Sequence, residues 1–337
     1  MSKKICVSGY YGFSNFGDEA ILDVIVDYLK SKNADITIFS KNPVLTATKH
    51  RVKCINSFDI LGVMRNIKNC DVLFSGGGSL LQDKTSLKSL LYYLFVIIYA
   101  LMKKKQVVIF AQGIGPIKNK IAQIITAQTL KKCDIVTIRD DASLFLVRGW
   151  GVLAQKVNDP IWNLPVSQNY QNNKIGVQLR KDKYLTPEYL DELASLILHY
   201  FNGYEVDIFS YQDSIDYELC KEFRDILRMK NPTCQIRLYN NMTNKEIIER
   251  TSKLKYMVGM RFHACLLALK FGIKTIAINY DVKVKTLASE FSIPCMELTN
   301  PKMDYCFSQV RKLSRQEILT KANEKRLDLS IFDSFVE

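Results

Sequence analysis

Short apolar runs alternate with amphipathic helical stretches along most of this 337-residue chain. Each run has the length of a buried strand, and most of them end in glycine or a charged residue, where a loop would begin. This alternation is typical of an α/β fold with a parallel, doubly wound sheet. The predicted strands are residues 5–8, 35–40, 71–75, 106–111, 134–138, 174–179, 205–210, 235–238, 255–258 and 274–279.

The alternation pauses over residues 158–173, where two prolines precede a polar run. We interpret this stretch as a linker, and the chain length also favours two domains over one. The sequence therefore predicts an N-terminal domain over residues 1–165, a C-terminal domain over 174–310 and a helical tail over 311–337. The helix of this tail is expected to cover residues 311–326.

One strand-to-helix junction combines an arginine with a histidine. Arg261 and His263 follow a predicted strand and open an apolar helix that stops at Gly272. Ligands of open α/β sheets bind at the carboxyl ends of strands, where a helix start adds partial positive charge. The pair therefore indicates an anion site beside a titratable group. The alternative is structural, with Arg261 capping a neighbouring helix and His263 hydrogen-bonded in the core.

Other predicted strand ends carry glycine clusters or charged residues. The glycines permit close approach of backbone to a ligand, but none of the clusters matches a dinucleotide fingerprint or a P-loop. Asp18 is also placed to cap the helix after the first strand. The additional candidates at these ends are Asp18, Glu19, Asp83, Gln112, Arg139, Arg180 and Lys283.

The net charge and the spacing of the cysteines limit the classes of protein to which this chain can belong. A net charge of +13 favours an acidic partner, such as nucleic acid, anionic lipid or a phosphorylated substrate. Nine scattered cysteines without close pairs argue against a disulfide scaffold and against a zinc site. No signal peptide is recognisable before the first strand, so we expect a cytoplasmic protein.

The most apolar run of the chain, residues 90–102, ends in three lysines, Lys103, Lys104 and Lys105. It is shorter than the roughly 18 residues that a membrane-spanning helix needs. Two interpretations remain: a helix buried against the sheet, or a helix edge that touches anionic membrane with the lysines at the headgroups.

Six short motifs occur in order along the chain. They are residues 9–20 (GYYGFSNFGDEA), 75–83 (SGGGSLLQD), 111–116 (AQGIGP), 139–140 (RD), 159–160 (DP) and 259–263 (GMRFH). As an ordered set, over about residues 5–290, they resemble the polysaccharide pyruvyl transferase family, and within it the CsaB type. The resemblance implies two Rossmann-like doubly wound domains of GT-B type facing across a cleft. It also implies transfer of pyruvate from phosphoenolpyruvate onto a sugar as a ketal.

The acceptor implied by the CsaB type is a lipid-linked, N-acetylmannosamine-containing precursor of a secondary cell-wall polymer that anchors surface-layer proteins. The resemblance assigns catalysis to His263, Arg139 and Arg261. Arginine and lysine suit the carboxylate and phosphate of the donor, and an imidazole can exchange the protons. The expected donor site comprises Arg139, Arg180, Arg261, His263 and Lys283, and the expected acceptor site comprises Asp18, Glu19, Asp83 and Gln112.

No cofactor or metal is expected, because the arginines already neutralise phosphate. Peripheral contact with the inner face of an anionic membrane is one of the two interpretations left open for residues 90–102, whereas no nucleic-acid partner is expected. Two other functions are compatible with the chain. A GT-B glycosyltransferase would use a nucleotide sugar, but usually carries a ribose-binding glutamate in its second domain, and the next glutamate after His263 is Glu290. A nucleic-acid-binding protein would fit the charge, although the lysines form no aromatic-interleaved stripe.

Overall fold

This computed structural model of the protein describes residues 2–84, 86–165 and 172–337. The chain divides into two compact units, Met1–Leu164 with Arg326–Glu337, and Pro165–Lys325. Each unit contains one sheet in which all strand pairs are parallel. The predicted α/β class, with two doubly wound sheets, is confirmed.

The first unit has a seven-stranded sheet in the order β3-β2-β1-β4-β5-β6-β7. Right-handed connections place the helices that lead away from β1 and those that lead away from β4 on opposite faces. The strands are β1 (Lys4–Ser8), β2 (Asp35–Ser40), β3 (Lys53–Asn56), β4 (Val72–Ser75), β5 (Gln106–Gln112), β6 (Ile135–Ile138) and β7 (Gln155–Lys156). The helices are α1 (Phe16–Ser31), α2 (Pro43–His50), α3 (Ile60–Asn69), α4 (Leu87–Met102), α5 (Lys120–Leu130) and α6 (Asp141–Gly149).

The second unit repeats this topology with six strands in the order β10-β9-β8-β11-β12-β13. Its strands are β8 (Lys174–Gln178), β9 (Glu205–Phe209), β10 (Ile236–Tyr239), β11 (Tyr256–Gly259), β12 (Lys274–Asn279) and β13 (Cys295–Glu297). Its helices are α7 (Pro187–Tyr200), α8 (Asp213–Lys230), α9 (Asn244–Ser252), α10 (Phe262–Lys270), α11 (Val282–Phe291), α12 (Met303–Val310) and α13 (Arg315–Asn323).

The predicted linker and tail differ from the observed elements. Residues 160–163 form a buried 3₁₀ helix of the first unit, and residues 166–171 of the expected linker lie outside the described residues. The tail helix is shorter than expected, since α13 covers only Arg315–Asn323. The residues after it return to the first unit and form a 3₁₀ turn, Leu329–Phe332, and α14, Asp333–Val336.

The returning segment is held by aromatic packing and hydrogen bonds. The ring of Phe332 is fully buried, with its centroid 4.9 Å from that of Phe110 and 6.1 Å from that of Phe74. The hydroxyl of Tyr28 donates to Asp333 Oδ1 at 2.8 Å. These contacts make the end of the chain part of the first unit's core.

Helix α1 begins earlier than the sequence predicts. The side chain of Asn15 accepts the N–H of Gly17 and caps the helix, so Asp18 lies in its first turn. The prediction that Asp18 caps this helix is therefore wrong. An acidic residue in a first turn is still favourable, because the helix start is partially positive.

The apolar run over residues 90–102 forms most of α4 and packs mainly inward. Six of its side chains are buried: Leu90, Tyr93, Leu94, Val96, Ile97 and Ala100. Within the described parts of the chain, no helix combines the length and apolar character needed to cross a membrane.

We expect Phe332→Ala to lower the free energy of unfolding by about 3–5 kcal/mol, because it leaves a cavity among buried aromatic rings. Urea unfolding followed by circular dichroism measures the loss. Phe145→Ala is the matched control, since Phe145 is 84% exposed and its removal should change stability by less than about 0.5 kcal/mol. Equal losses in the two variants would contradict the packing assigned to Phe332.

Candidate functional site

Each sheet has a point at its centre where the chain turns in opposite directions. β1 and β4 are neighbours, but the chain continues from β1 to β2 and from β4 to β5 on the other side. β8 and β11 form the same arrangement in the second unit. Open α/β sheets bind ligands outside the carboxyl ends of strands at such points. All nine candidate residues lie at the end of a strand or in the segment that follows it. They are Asp18, Glu19, Asp83, Gln112 and Arg139 in the first unit, and Arg180, Arg261, His263 and Lys283 in the second.

In the first unit, the loops after β1 and β4 pack against each other around Tyr11, whose side chain is fully buried. A side chain at Gly76 would overlap the hydroxyl of Tyr11. Gly78 has a φ of +103°, and a Cβ added there would lie 2.5 Å from Asp18 Oδ1. Only glycine fits both positions. The half-buried Asp18 carboxylate therefore lies where the two loops meet.

Two of the predicted acceptor-binding carboxylates hold the loops in place. Glu19 Oε1 accepts the N–H of Gly12 at 2.7 Å, and burial raises the pKa of Glu19. Asp83 Oδ2 accepts the N–H groups of Lys118 and Asn119, both at 2.8 Å. These two bonds hold the pKa of Asp83 below its usual value. Asp83 therefore ties the loop after β4 to the start of α5.

Gln112 also has a structural role. Its side chain is fully buried, and Nε2 donates to the carbonyl oxygens of Ser75 and Gly76, both at 3.1 Å. The resemblance implies an acceptor site that includes Gln112. In the structure, its amide joins the end of β5 to the end of β4.

An aromatic pair at this edge was missed by the sequence analysis. The rings of Tyr10 and Phe13 are stacked, with centroids 3.9 Å apart and planes inclined by 8°. Lys41 Nζ lies 4.9 Å from the centroid of Phe13. The signal was present in the motif that begins at Gly9, but nothing in its spacing showed that the two rings stack. Aromatic faces of this kind suit the apolar faces of a sugar.

Arg139 follows β6 and is paired with a carboxylate. Its Nη1 lies 2.7 Å from Asp159 Oδ2, and the side chains are only 6% and 4% exposed. Its Nη2 donates to Ser79 Oγ at 3.3 Å. Asp159, interpreted from the sequence as a residue that shapes the linker, also caps the 3₁₀ helix by accepting the N–H of Ile161. The charge of Arg139 is compensated within the unit.

Arg261 forms a bidentate ion pair with Asp216 in the second unit. Its Nε donates to Asp216 Oδ2 at 2.7 Å and its Nη2 to Asp216 Oδ1 at 2.8 Å. Asp216 has no exposed surface. The backbone N–H of Arg261 donates to Gln178 Oε1 at 2.7 Å, and Gln178 Nε2 donates to Asp216 at 3.3 Å. This network connects the turn after β11 to β8 and α8.

Three other candidates follow three adjacent strands of this sheet. Arg180 follows β8, His263 follows β11 and Lys283 follows β12, and these strands are neighbours in that order. Neighbouring strands lie about 4.8 Å apart, so the three ends span about 10 Å. His263 is half-buried at the second position of α10, a helix start that provides partial positive charge.

Tyr280 supports Arg180 at this edge. The Arg180 guanidinium carbon lies 5.0 Å from the centroid of the Tyr280 ring, and burial raises the pKa of Tyr280. Asp281 caps α11 by accepting the backbone N–H of Lys283 at 3.1 Å. The stack orients the guanidinium, and the cap places Lys283 at the second position of its helix. A small anion with two acidic groups suits this set of cations.

Among the residues that the structure describes, no group of three or more histidine, cysteine, aspartate and glutamate side chains is placed to hold a metal ion.

Solved structures from other organisms share the fold of this chain. A UDP-N-acetylglucosamine 2-epimerase from Methanocaldococcus jannaschii is similar with a TM-score of 0.64 at 11% identity, over 97% of this chain and 95% of that one. HepE from Anabaena, in complex with UDP and glucose, is similar with a TM-score of 0.62 at 11% identity, over 99% of this chain and 98% of that one. A glycosyltransferase from Rickettsia africae is similar with a TM-score of 0.63 at 15% identity, over 99% of this chain and 97% of that one. These likenesses confirm the predicted fold class, two Rossmann-like units of GT-B type.

The sequence also matches the model of a protein family. The model of the family described as polysaccharide pyruvyl transferase matches residues 15–282. The chain therefore belongs to the polysaccharide pyruvyl transferase family, as the resemblance predicted, and is a transferase. No curated protein matches it in sequence.

We expect Asp216→Asn to lower the free energy of unfolding by about 3–5 kcal/mol, because the change leaves the Arg261 charge buried without its partner. Urea unfolding measures this loss. Glu218→Gln, an exposed change on the same helix, should alter stability by less than about 0.5 kcal/mol. If Asp216→Asn unfolds at the same urea concentration as the wild type, the Arg261–Asp216 pair does not stabilise the turn.

Proposed function

We propose that the protein transfers pyruvate from phosphoenolpyruvate onto two hydroxyls of a sugar, forming a ketal and releasing phosphate. The observation that carries this proposal is the row of Arg180, His263 and Lys283 after three adjacent strands. Two cations flank an imidazole at a helix start, which suits a donor with a carboxylate and a phosphate. Membership of the polysaccharide pyruvyl transferase family supports the same reaction.

The proposed chemistry uses His263 as the acid and base. Protonation of C3 of the donor makes C2 electrophilic, and one sugar hydroxyl adds there. The second hydroxyl then displaces phosphate from C2, so that one C–O bond to phosphate breaks and two C–O bonds to the sugar form. Of the two hydroxyl protons, one balances the proton gained by C3 and the other leaves with phosphate. An imidazole titrates near neutrality and can both give and take these protons.

In this proposal, Arg180 and Lys283 make the main direct contacts with the donor. The guanidinium groups of Arg139 and Arg261 are already paired with Asp159 and Asp216. We infer that Arg261 acts on catalysis by holding the turn that carries His263. Its expected direct role as a donor ligand and catalytic group is therefore replaced by a positioning role.

For the acceptor, we propose the lipid-linked N-acetylmannosamine precursor of the CsaB type, used at the inner face of the cell membrane. Asp18 and the aromatic pair Tyr10–Phe13 support a sugar site in the first unit. A carboxylate can accept hydrogen bonds from sugar hydroxyls. Incubation with phosphoenolpyruvate and a panel of lipid-diphosphate disaccharides tests the reaction. A pyruvate-sized mass gain with matching phosphate release is expected; phosphate release without an acceptor product would contradict it.

A GT-B glycosyltransferase that uses a nucleotide sugar is the second candidate, because the fold is shared with HepE in complex with UDP and glucose. The acidic residues after His263 do not favour it. Asp281 caps α11, and Glu290 lies near the far end of that helix in an ion pair with Lys325. Titration calorimetry with phosphoenolpyruvate, UDP and GDP separates the two candidate functions. Tight binding of UDP or GDP without binding of phosphoenolpyruvate would favour the glycosyltransferase.

We expect His263→Gln to lower kcat at least about 100-fold, because general acid–base assistance is lost. The dissociation constant for phosphoenolpyruvate should change far less. Phosphate release and calorimetry measure the two quantities. His199→Gln is the matched control, since His199 is exposed on α7 and should leave both unchanged. Near-normal turnover of His263→Gln would refute the assignment.

We expect Lys283→Ala to weaken phosphoenolpyruvate binding about tenfold or more, since a hydrogen bond to a charged group contributes about 1.5–3 kcal/mol. Calorimetry measures the dissociation constant. Lys285→Ala is the control on the same helix, because Lys285 is exposed and pairs with Glu297 at 2.8 Å. If both variants bind the donor equally well, Lys283 does not contact it.

A further inference from the structure

One segment of the first unit has an unusual charge pattern. From residue 84 to residue 133 the chain contains nine lysines and no aspartate, glutamate or arginine. The net charge of the whole protein is +13, so this segment holds a large share of the excess. The lysines are Lys84, Lys88, Lys103, Lys104, Lys105, Lys118, Lys120, Lys131 and Lys132.

This segment forms α4, β5 and α5. The strands β4, β5 and β6 are adjacent and parallel, so α4 and α5 lie side by side on one face of the sheet and both begin at its carboxyl edge. The two helices pack against each other and share one buried core with the sheet. Their outer faces point away from that core.

The outer faces of both helices carry large apolar side chains. On α5, Ile121 is 70% exposed, Ile124 61% and Ile125 37%. Their spacing of three and four residues places them on one side of the helix. On α4, Leu87 and Leu91 are one turn apart, and they are 40% and 46% exposed. Exposed apolar side chains that form a patch on a protein surface indicate an interaction site.

Exposed lysines neighbour these apolar side chains in the sequence. Lys88 lies between the two leucines in sequence, and Lys118 and Lys120 lie beside Ile121; all three are exposed. Asp83, the acidic residue just before the segment, accepts two backbone N–H groups at the start of α5. We call Leu87, Lys88, Leu91, Lys118, Lys120, Ile121, Ile124 and Ile125 the α4–α5 face.

We propose that the α4–α5 face binds the surface of an anionic phospholipid membrane. The isoleucines and leucines enter the boundary between headgroups and acyl chains, while the lysines contact lipid phosphates. Lysine is well suited to this, because its long apolar stem lies along the apolar surface and its charge reaches the headgroups. A nucleic-acid surface would match the lysines but would leave the isoleucines in water.

The α4–α5 face differs from the membrane contact that the sequence suggested, and only Leu91 belongs to both. Residues 90–102 are largely buried, and Lys103, Lys104 and Lys105 follow the far end of α4. The α4–α5 face instead adjoins the carboxyl edge of the sheet, where Asp83 ties the loop after β4 to α5. The proposal deepens the proposed function and rests on it in one respect: a lipid-linked acceptor in the same leaflet would lie near this edge.

Vesicle sedimentation with the full chain tests the proposal. We expect binding to vesicles that contain phosphatidylglycerol, weaker binding to phosphatidylcholine alone, and release at about 1 M salt, where the Debye length falls to about 3 Å. Ile121→Ser with Ile124→Ser should reduce the partition coefficient about tenfold or more. Lys88→Gln, Lys118→Gln and Lys120→Gln together should also reduce the partition coefficient about tenfold or more, since lysines near an anionic surface are attracted to its headgroups.

Two control variants match these changes. Val44→Ser with Leu45→Ser removes two exposed apolar side chains from α2, which are 76% and 58% exposed. Replacement of Lys221, Lys245 and Lys312 by glutamine removes three exposed lysines of the second unit. Both controls should bind vesicles as the wild type does. If the test and control variants lose vesicle binding equally, general charge or hydrophobicity explains the binding and the proposal is overturned.

Other outcomes assign the face differently. Self-association that depends on Ile121 and Ile124, without vesicle binding, would assign it to a second copy of the chain. Loss of duplex DNA binding in the lysine variant, with unchanged vesicle binding, would assign it to nucleic acid. Either outcome overturns the proposal.

Pyruvyl transfer to a short-chain, water-soluble acceptor separates this proposal from the proposed function. If the Ile121→Ser, Ile124→Ser variant transfers pyruvate normally to that acceptor but no longer binds vesicles, both proposals stand. If the wild-type protein binds vesicles but transfers no pyruvate to any acceptor, only the proposed function fails. If transfer is normal and no vesicle binding occurs, only the membrane proposal fails.

Discussion

The buried pair of Arg261 and Asp216 is the interaction on which the candidate site of the second unit depends. A carboxylate without exposed surface is costly unless its oxygens are hydrogen-bonded and its charge is matched. The guanidinium group meets both needs, because it donates to both oxygens. Gln178 then joins the pair to the turn after β11. The backbone that carries His263 is therefore held before any ligand arrives, which is what a preorganised site requires.

The inner strands of both sheets are predictable from the sequence, whereas most of the outermost strands are not. All ten predicted strands form, whereas β3, β7 and β13 were not predicted, and each of these lies at an edge. Central strands of a parallel sheet are covered on both faces and read as apolar runs. Edge strands are partly exposed, and β7 consists of two exposed residues. The pattern that identifies a strand is therefore weakest where burial is least.

The positions of the candidate residues were more predictable than their roles. Strand ends could be read from the sequence, so Arg139 and Arg261 were placed correctly at carboxyl edges. The carboxylates that pair with these arginines could not be predicted from the sequence, because they are distant along the chain. Asp159 lies 20 residues after Arg139, and Asp216 lies 45 residues before Arg261. In the sequence, Asp216 resembles any acidic residue in the first turn of a helix. Only the fold shows that it neutralises an arginine expected to meet the substrate.

Positive charge therefore has two physically different uses in this chain. Arg139 and Arg261 are buried and paired, so salt screens them little and they contribute to the shape of the strand-end turns. The lysines of the α4–α5 face are exposed, in a segment without acidic residues, so their field extends into solvent and is screened by salt. A high net charge alone does not distinguish these uses. Burial and the position of the nearest carboxylate do, and neither can be read from composition.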